Sequence, residues 1–150
     1  MSTIVKCTVE DSSSLFECAE RNLPKLFTLY ELQHILSDEE FLTFCIKKNN
    51  SDQILAYLIG KDIEDNTFDI YYFAVEKDYR RQGLGTKLMK YVIDNLKEDI
   101  TNITLQTQID NEAAIKFYQR NGFKIMHILK DYYYENDMEK DGYELKYTRS

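Results

Sequence analysis

The stretch from Tyr71 to Leu96 constrains this chain more than any other. It opens on Tyr72-Phe73-Ala74-Val75, the end of an aromatic-rich run from Thr67 that reads as a strand. It continues through Glu76-Lys77-Asp78-Tyr79 into Arg80-Arg81-Gln82-Gly83-Leu84-Gly85-Thr86-Lys87. Leu88, Val92 and Leu96 then recur four apart, the spacing of an amphipathic helix from Gly85 to Leu96. A strand that turns through two glycines into a helix brings the backbone close to a ligand. The unpaired N–H groups of the first helical turn, with the helix dipole, favour phosphate there. Arg80 and Arg81 can add charge-assisted bonds. The glycines alone are equally compatible with a simple tight turn.

Other nucleotide-binding patterns fit this segment badly. A Walker loop needs G-x-x-x-x-G-K-[ST], and Gly85 is followed by Thr86-Lys87 with no matching upstream glycine. A dinucleotide fingerprint needs a third glycine where Leu88 stands.

The rest of the chain places this segment in a mixed fold. Val5, Cys7 and Val9 alternate with polar residues as in a strand, and Asp11-Ser12-Ser13-Ser14 offers a cap for a helix through Asn22. A second helix is expected over Tyr30 to Leu36. Phe41 to Lys47, Ile54 to Lys61 and Thr67 to Val75 read as strands. Ile103, Leu105, Thr107 and Ile109 alternate as another. Asn111 to Asn121 reads as a short helix closed by Gly122, and Phe123 to Lys130 and Gly142 to Tyr147 as final strands. The order β-α-α-β-β-β-α-β-α-β-β implies a mixed sheet with helices on both faces, an α+β or α/β domain. With 150 residues and no Gly/Ser linker or repeat, one domain spanning residues 1–150 is expected.

Charge and cysteine content narrow the partners. The net charge of −7 argues against a nucleic-acid binder, which usually shows a dominant basic face. Lys77, Arg80, Arg81, Lys87 and Lys90 nevertheless crowd into one segment, which suits a compact anionic ligand. Three cysteines without a C-x-x-C, and only two histidines, disfavour a metal cage. Cys7, Cys18 and Cys45 are therefore expected to be buried free thiols in a reducing compartment. No apolar run reaches the length of a membrane helix, and Met1 to Lys6 lacks a secretory signal's apolar stretch, so the cytoplasm is the expected location.

Arg80-x-x-Gly83-x-Gly85 after a strand ending in Ala-Val resembles the acetyl-CoA signature of the GNAT superfamily of N-acetyltransferases. Asn111-Glu112-Ala113-Ala114-Ile115-Lys116-Phe117-Tyr118-Gln119-Arg120-Asn121-Gly122-Phe123 resembles that superfamily's N-x-x-A-x-x-F/Y-Y-x-x-x-G-F helix. The resemblance implies a GNAT-like fold: a mixed, mostly antiparallel, twisted sheet of about seven strands flanked by four helices, with acetyl-CoA as cosubstrate and no metal. It further implies that backbone amides of Arg81, Gln82, Gly83, Leu84, Gly85 and Thr86, beside Arg80, hold the pyrophosphate. Main-chain groups of Phe73, Ala74 and Val75 would pair with the pantetheine arm, and Asn111 would bond it. Tyr118 would protonate the leaving thiolate, where helical spacing alone gives a packed core aromatic. The Val75 amide would serve the developing oxyanion. No covalent intermediate is required, so the cysteines need no catalytic role.

The base is left open by the residues. Asp69 stands where histone acetyltransferases carry a glutamate, and it equally reads as a solvated edge carboxylate. Gln106 stands where N-terminal acetyltransferases often have His or Glu, and glutamine can hold a water but cannot act as a base. The expected base is Asp69, or a water held by backbone and Gln106, with Tyr71 the next candidate.

Two further stretches bear on the acceptor. Asn22-Leu23-Pro24-Lys25-Leu26-Phe27-Thr28-Leu29-Tyr30 resembles the first substrate loop of protein N-terminal acetyltransferases, with Phe27 in place of a proline. Lys130-Asp131-Tyr132-Tyr133, followed by Asp141-Gly142-Tyr143-Glu144-Leu145, resembles their tyrosine-paired hairpin. The resemblance implies a peptide groove lined by Phe27, Leu29, Tyr30, Tyr71, Tyr132 and Tyr133, and a protein or peptide N-terminus as acceptor. A small amine of polyamine or aminoglycoside type, and a non-catalytic CoA-binding subunit, are the alternatives. An auxiliary subunit or a homodimer stays open, and no nucleic-acid or membrane partner is expected.

Overall fold

Alternating apolar runs and amphipathic segments give seven strands and four α-helices in the structure, a computed structural model describing residues 2–150. In chain order they are β1 (Ser2–Lys6), α1 (Ser12–Asn22), α2 (Leu29–Ser37), β2 (Phe41–Lys48), β3 (Ile54–Ile63) and β4 (Thr67–Val75). There follow α3 (Leu84–Asn95), β5 (Asn102–Gln108), α4 (Glu112–Arg120), β6 (Lys124–Glu135) and β7 (Met138–Thr148). The strands form one mixed sheet in the order β1-β2-β3-β4-β5-β7-β6. The pairs β1/β2, β2/β3, β5/β7 and β6/β7 are antiparallel, and β4/β5 is parallel. This is the mixed seven-stranded sheet with four helices that the motifs imply. No helix among the described residues is long and apolar enough to cross a membrane.

The residues group into two compact units. The first comprises the chain up to Lys61 together with Tyr71–Asn95, and the second comprises Asp62–Ile70 and Leu96–Ser150. In the first unit, Leu15, Cys18 and Ala19 lie on one face of α1 and bury against Leu32, Phe27, Tyr57 and Ile59. Ile54 to Gly60 of β3 are buried without interruption, as in a strand covered on both faces. Leu88, Met89, Val92 and Ile93 bury the inner face of α3. Each such aliphatic side chain contributes about 1.5–3 kcal/mol through loss of exposed apolar surface. Thr28 starts α2 with a capping box: its hydroxyl accepts from Glu31 N–H and the Glu31 carboxylate accepts from Thr28 N–H.

In the second unit, Phe68, Ile103, Leu105, Phe123 and Leu145 are buried. The Arg149 guanidinium donates to the carbonyls of Lys97 and Ile100, fixing the chain that follows α3. β6 and β7 run well beyond the expected strands, because Asn136 and Asp137 both take left-handed backbone angles (φ 53° and 60°). That pair makes a two-residue hairpin turn whose twist matches long antiparallel strands.

Two expectations are corrected here. The strand expected through Val9 ends at Lys6, and Val9–Asp11 forms a 3-10 turn. The Asp11 carboxylate accepts from Thr8 N–H and Lys47 Nζ, which bends the chain away from the sheet. The three cysteines are not all free thiols: Cys7 and Cys45 are joined in a disulfide, and Cys18 alone is free and buried. The antiparallel register sets Val5 opposite Cys45, and Cys7 N–H bonds to Thr43 O, so the two Cα atoms lie 6.4 Å apart.

Candidate active site

In the first unit, the turn between β4 and α3 is built around the buried Glu76. Its carboxylate accepts from Arg21 Nε at 2.9 Å, Arg21 Nη2 at 3.2 Å and Asn22 Nδ2 at 3.0 Å. Burial alone would raise the Glu76 pKa, but hydrogen bonds from Arg21, Cys18 and Asn22 outweigh it and hold the group below the usual glutamate value. Asn22 completes the clamp, because its Oδ1 accepts from Lys77 N–H at 2.9 Å and from Arg80 Nη2 at 3.4 Å. Arg80 Nε donates to Val75 O at 3.1 Å, so this side chain folds back on the strand end. The Cys18 thiol beneath is pushed up to about 12 by burial and by Glu76, which makes it a poor nucleophile at neutral pH.

The loop then takes two left-handed positions, Arg81 (φ 64°) and Gly83 (φ 81°). Such a conformation is strained for a side-chain-bearing residue and costs Arg81 about 1 kcal/mol or more. The first bond into α3 runs from Lys87 N–H to Gly83 O. The amides of Leu84, Gly85 and Thr86 precede it and have no intrahelical acceptor. Gly85 is buried, while Arg81, Gln82, Gly83 and Thr86 are exposed. A Cβ added at Gly83 would meet nothing within 4 Å, so the space over the turn is open. Ala74 is buried, and Phe73 and Val75 are partly so.

The aromatic residues of this unit divide between core and surface. Phe27 is buried edge-on against Tyr72 (centroids 5.2 Å apart), and Leu29 is half-buried. Tyr30 is exposed and packs edge-on against His34, and Tyr71 is exposed and packs edge-on against Phe41.

In the second unit, the parallel pairing of β4 and β5 sets Asp69 beside Thr104. Asp69 Oδ1 accepts from Thr104 Oγ1 at 2.6 Å and from Gln106 Nε2 at 3.1 Å. The structure thus brings together the two candidates that the sequence left side by side. A carboxylate only accepts, so the Gln106 amide must present its NH2 to Asp69, leaving its carbonyl oxygen turned to other donors. Asn111 caps α4, its Oδ1 accepting from Ala114 N–H at 3.3 Å. Tyr118 sits on α4 edge-on to Phe117 and Phe123. Burial, with a smaller contribution from Tyr133, raises its phenol to about 12. Tyr132 and Tyr133 lie edge-on at 5.0 Å, where the β6/β7 register jumps between Leu129 and Tyr133. Asp141 anchors this irregularity by accepting from Asp131 N–H and Lys130 Nζ.

The family model for the Acetyltransferase (GNAT) family matches residues 9–123. The chain belongs to the GNAT acetyltransferase family. It is 33% identical over 104 residues to the [ribosomal protein bS18]-alanine N-acetyltransferase of Escherichia coli K12, covering 69% of this chain and 68% of that protein. N-alpha-acetyltransferase 30 of Schizosaccharomyces pombe is 29% identical over 127 residues, covering 82% and 84%. The solved ribosomal-protein-S18-alanine N-acetyltransferase from Escherichia coli aligns with a TM-score of 0.88 at 25% identity, over 100% of this chain and 95% of that one.

In this GNAT acetyltransferase, four structural partners of the candidate site, Arg21, Asn22, Glu76 and Tyr72, are not singled out by sequence pattern. Arg21, Asn22 and Glu76 form one network although 54 or 55 residues separate Glu76 from the other two. No local pattern marks such a pairing. Tyr72, the partner of Phe27, carried a weak signal as one of two adjacent tyrosines in β4.

Proposed function

We propose that the protein transfers the acetyl group of acetyl-CoA to the N-terminal α-amine of a polypeptide. The observation that carries this reading is the exposure of Tyr30, Tyr71 and Tyr132, at 69%, 45% and 53%. Tyr30 and Tyr132 lie in the two stretches tied to the acceptor and Tyr71 in β4, and each ring is braced edge-on by a neighbour. A braced tyrosine offers a ring to a peptide side chain and a hydroxyl to its backbone at little entropic cost. The alanine N-acetyltransferase and the N-alpha-acetyltransferase similar to this chain support the same acceptor class.

The residues fit acetyl-CoA. The free amides of Leu84, Gly85 and Thr86, with those of Arg81, Gln82 and Gly83, would hold the pyrophosphate under an open turn. Main-chain groups of Phe73, Ala74 and Val75 would take the pantetheine arm. Asn111 keeps its Nδ2 for the same arm while its Oδ1 caps α4. Bound acetyl-CoA supplies an acyl carbon open to attack by an amine and a thiolate that leaves. The Val75 N–H would donate to the oxygen on which negative charge develops. Tyr118 keeps its proton throughout the neutral range, as an acid for the thiolate must. Asp69 Oδ2 would take the amine proton directly or through one water, while Oδ1 is held by Thr104 and Gln106.

The test is CoA release with acetyl-CoA and short peptides, run beside the same peptides with blocked N-termini, spermidine and an aminoglycoside. Turnover on free peptides that disappears on blocking is the expected result. Turnover confined to the small amines would replace the peptide by a small cation, and silence on all would leave a CoA-binding subunit.

A further inference from the structure

A row of polar side chains crosses one face of the sheet in the second unit, and the candidate base is only its first member. Asp69 of β4 is bonded by Gln106 of β5. Gln106 lies directly opposite Glu144 of β7, and directly paired residues in an antiparallel ladder share a face. Glu144 Oε2 lies 2.8 Å from His127 Nε2 of β6. The Glu144 side chain is 27% exposed and that of His127 57%, so the row runs from a half-buried carboxylate to a solvent-facing imidazole.

The β6 backbone is distorted at this point. Lys124 and Ile125 pair with Lys146 and Leu145, so an unbroken register would set Met126 opposite Glu144. The register instead shifts between Ile125 and His127, and the extra residue puts His127 opposite Glu144. A bulge that re-aims one side chain is a feature found beside active sites.

We propose that Glu144 with His127 forms a relay that carries the acceptor's proton to solvent, a role that Gln106 cannot take. This rests on the acetyl-transfer reading above. An α-amine titrates near 8, so an acceptor at neutral pH arrives largely as the ammonium ion and must lose a proton before attack. In the relay the N–H bond of the ammonium breaks and the proton passes to Asp69 Oδ2, which hands a proton on to a water held at the Gln106 carbonyl. A proton of that water passes to the Glu144 carboxylate, then to His127 Nε2, and His127 releases one to bulk water. One proton leaves the nitrogen, one reaches solvent, and no electron is transferred. Among the described residues, the strand register also puts Asp69 on β4, Lys140 and Lys146 on β7, and Lys124 and Glu135 on β6 on this face; Lys140 is paired with Asp110, and Glu135 accepts from Gln108.

The experiment compares kcat against pH, from about 6 to 9.5, for the unaltered enzyme, E144Q and H127Q on a free-N-terminal peptide, with melting temperatures alongside. The expected result is a loss in kcat of about 10-fold or more at pH 6.5–7 in both variants, restored in part by added imidazole. The loss should fade above about pH 9, where the amine arrives deprotonated. A variant profile that overlays the unaltered enzyme, or a deficit equal at every pH, overturns the relay. Should E144Q fail to fold, H127Q at the more exposed position decides the matter alone. Turnover by the unaltered enzyme with unaffected variants removes only the relay, whereas no turnover by the unaltered enzyme removes the acetyl-transfer reading and the relay with it.

Discussion

The Gln106 amide donates to Asp69 Oδ1 across 3.1 Å, joining β5 to β4. Thr104 donates to the same oxygen, so the orientation of the Asp69 carboxylate is set by two neighbours on β5.

Replacing the carboxylate tests its role as base. Asp69→Asn keeps the shape but removes the carboxylate proposed to accept the amine's proton. It should lower kcat on a free-N-terminal peptide by about 10²-fold at pH 7. The deficit should shrink as the pH approaches 9. A kcat–pH profile identical to that of the unaltered enzyme would reject Asp69 as base.

Tyr118→Phe removes the hydroxyl proposed to protonate the thiolate and leaves the ring packing against Phe117 and Phe123. The expected result is a fall in kcat of about 10²-fold with little change in the KM for acetyl-CoA. Because its phenol lies near 12, no alkaline limb below about pH 10 should belong to it.

The Arg21–Glu76–Asn22 clamp should govern how well the turn presents its amides. Arg21→Ala leaves the buried Glu76 carboxylate without its strongest partner. Because the Arg21 side chain is 46% exposed, the cost is set at about 1–2 kcal/mol of stability. The KM for acetyl-CoA should rise more than the KM for peptide, in steady-state kinetics with each substrate varied.

The same clamp predicts an acid limit to stability. The folded-state pKa of Glu76 is depressed below the ordinary 4.5. The folded state therefore holds the ionised form more strongly than the unfolded chain does. That contribution is complete above about pH 4.5 and is lost as pH falls through the depressed value. Denaturant midpoints from pH 6 to pH 3 should fall more in the unaltered protein than in Glu76→Gln, which lacks the titrating group.

Gly142→Ala should act on the acceptor side. A Cβ there would come within 2.8 Å of the Tyr133 ring and 3.2 Å of the Thr107 carbonyl. The ring must move, at about 1–3 kcal/mol in stability. The expected kinetic signature is a raised KM for peptide with an unchanged KM for acetyl-CoA, measured in the same assay.

Sequence alone determined the element order and the glycine turn that leads into α3, because both depend on neighbours in the chain. Apolar spacing in Leu88-Val92-Leu96 and alternation in Ile103-Leu105-Thr107 are local patterns, and two glycines before a helix make a local shape. The GNAT motifs around Arg80 and Asn111 added the expected roles of residues that spacing could not assign, Tyr118 above all. Long-range register belongs to the tertiary structure. The 3-10 turn at Val9–Asp11 was hidden because the alternation of Val5, Cys7 and Val9 continues past the strand, and the Asp11 carboxylate that caps the turn on Thr8 N–H is also held by a lysine 36 residues away. The Cys7–Cys45 bond depends on the β1/β2 pairing, and no spacing rule connects two cysteines 38 residues apart. The Glu76 clamp, the Asp69–Gln106 bond and the row through Glu144 to His127 were likewise decided only in three dimensions. Each joins segments whose approach is set by sheet pairing or helix packing, and a one-residue shift such as the bulge between Ile125 and His127 changes which side chains meet.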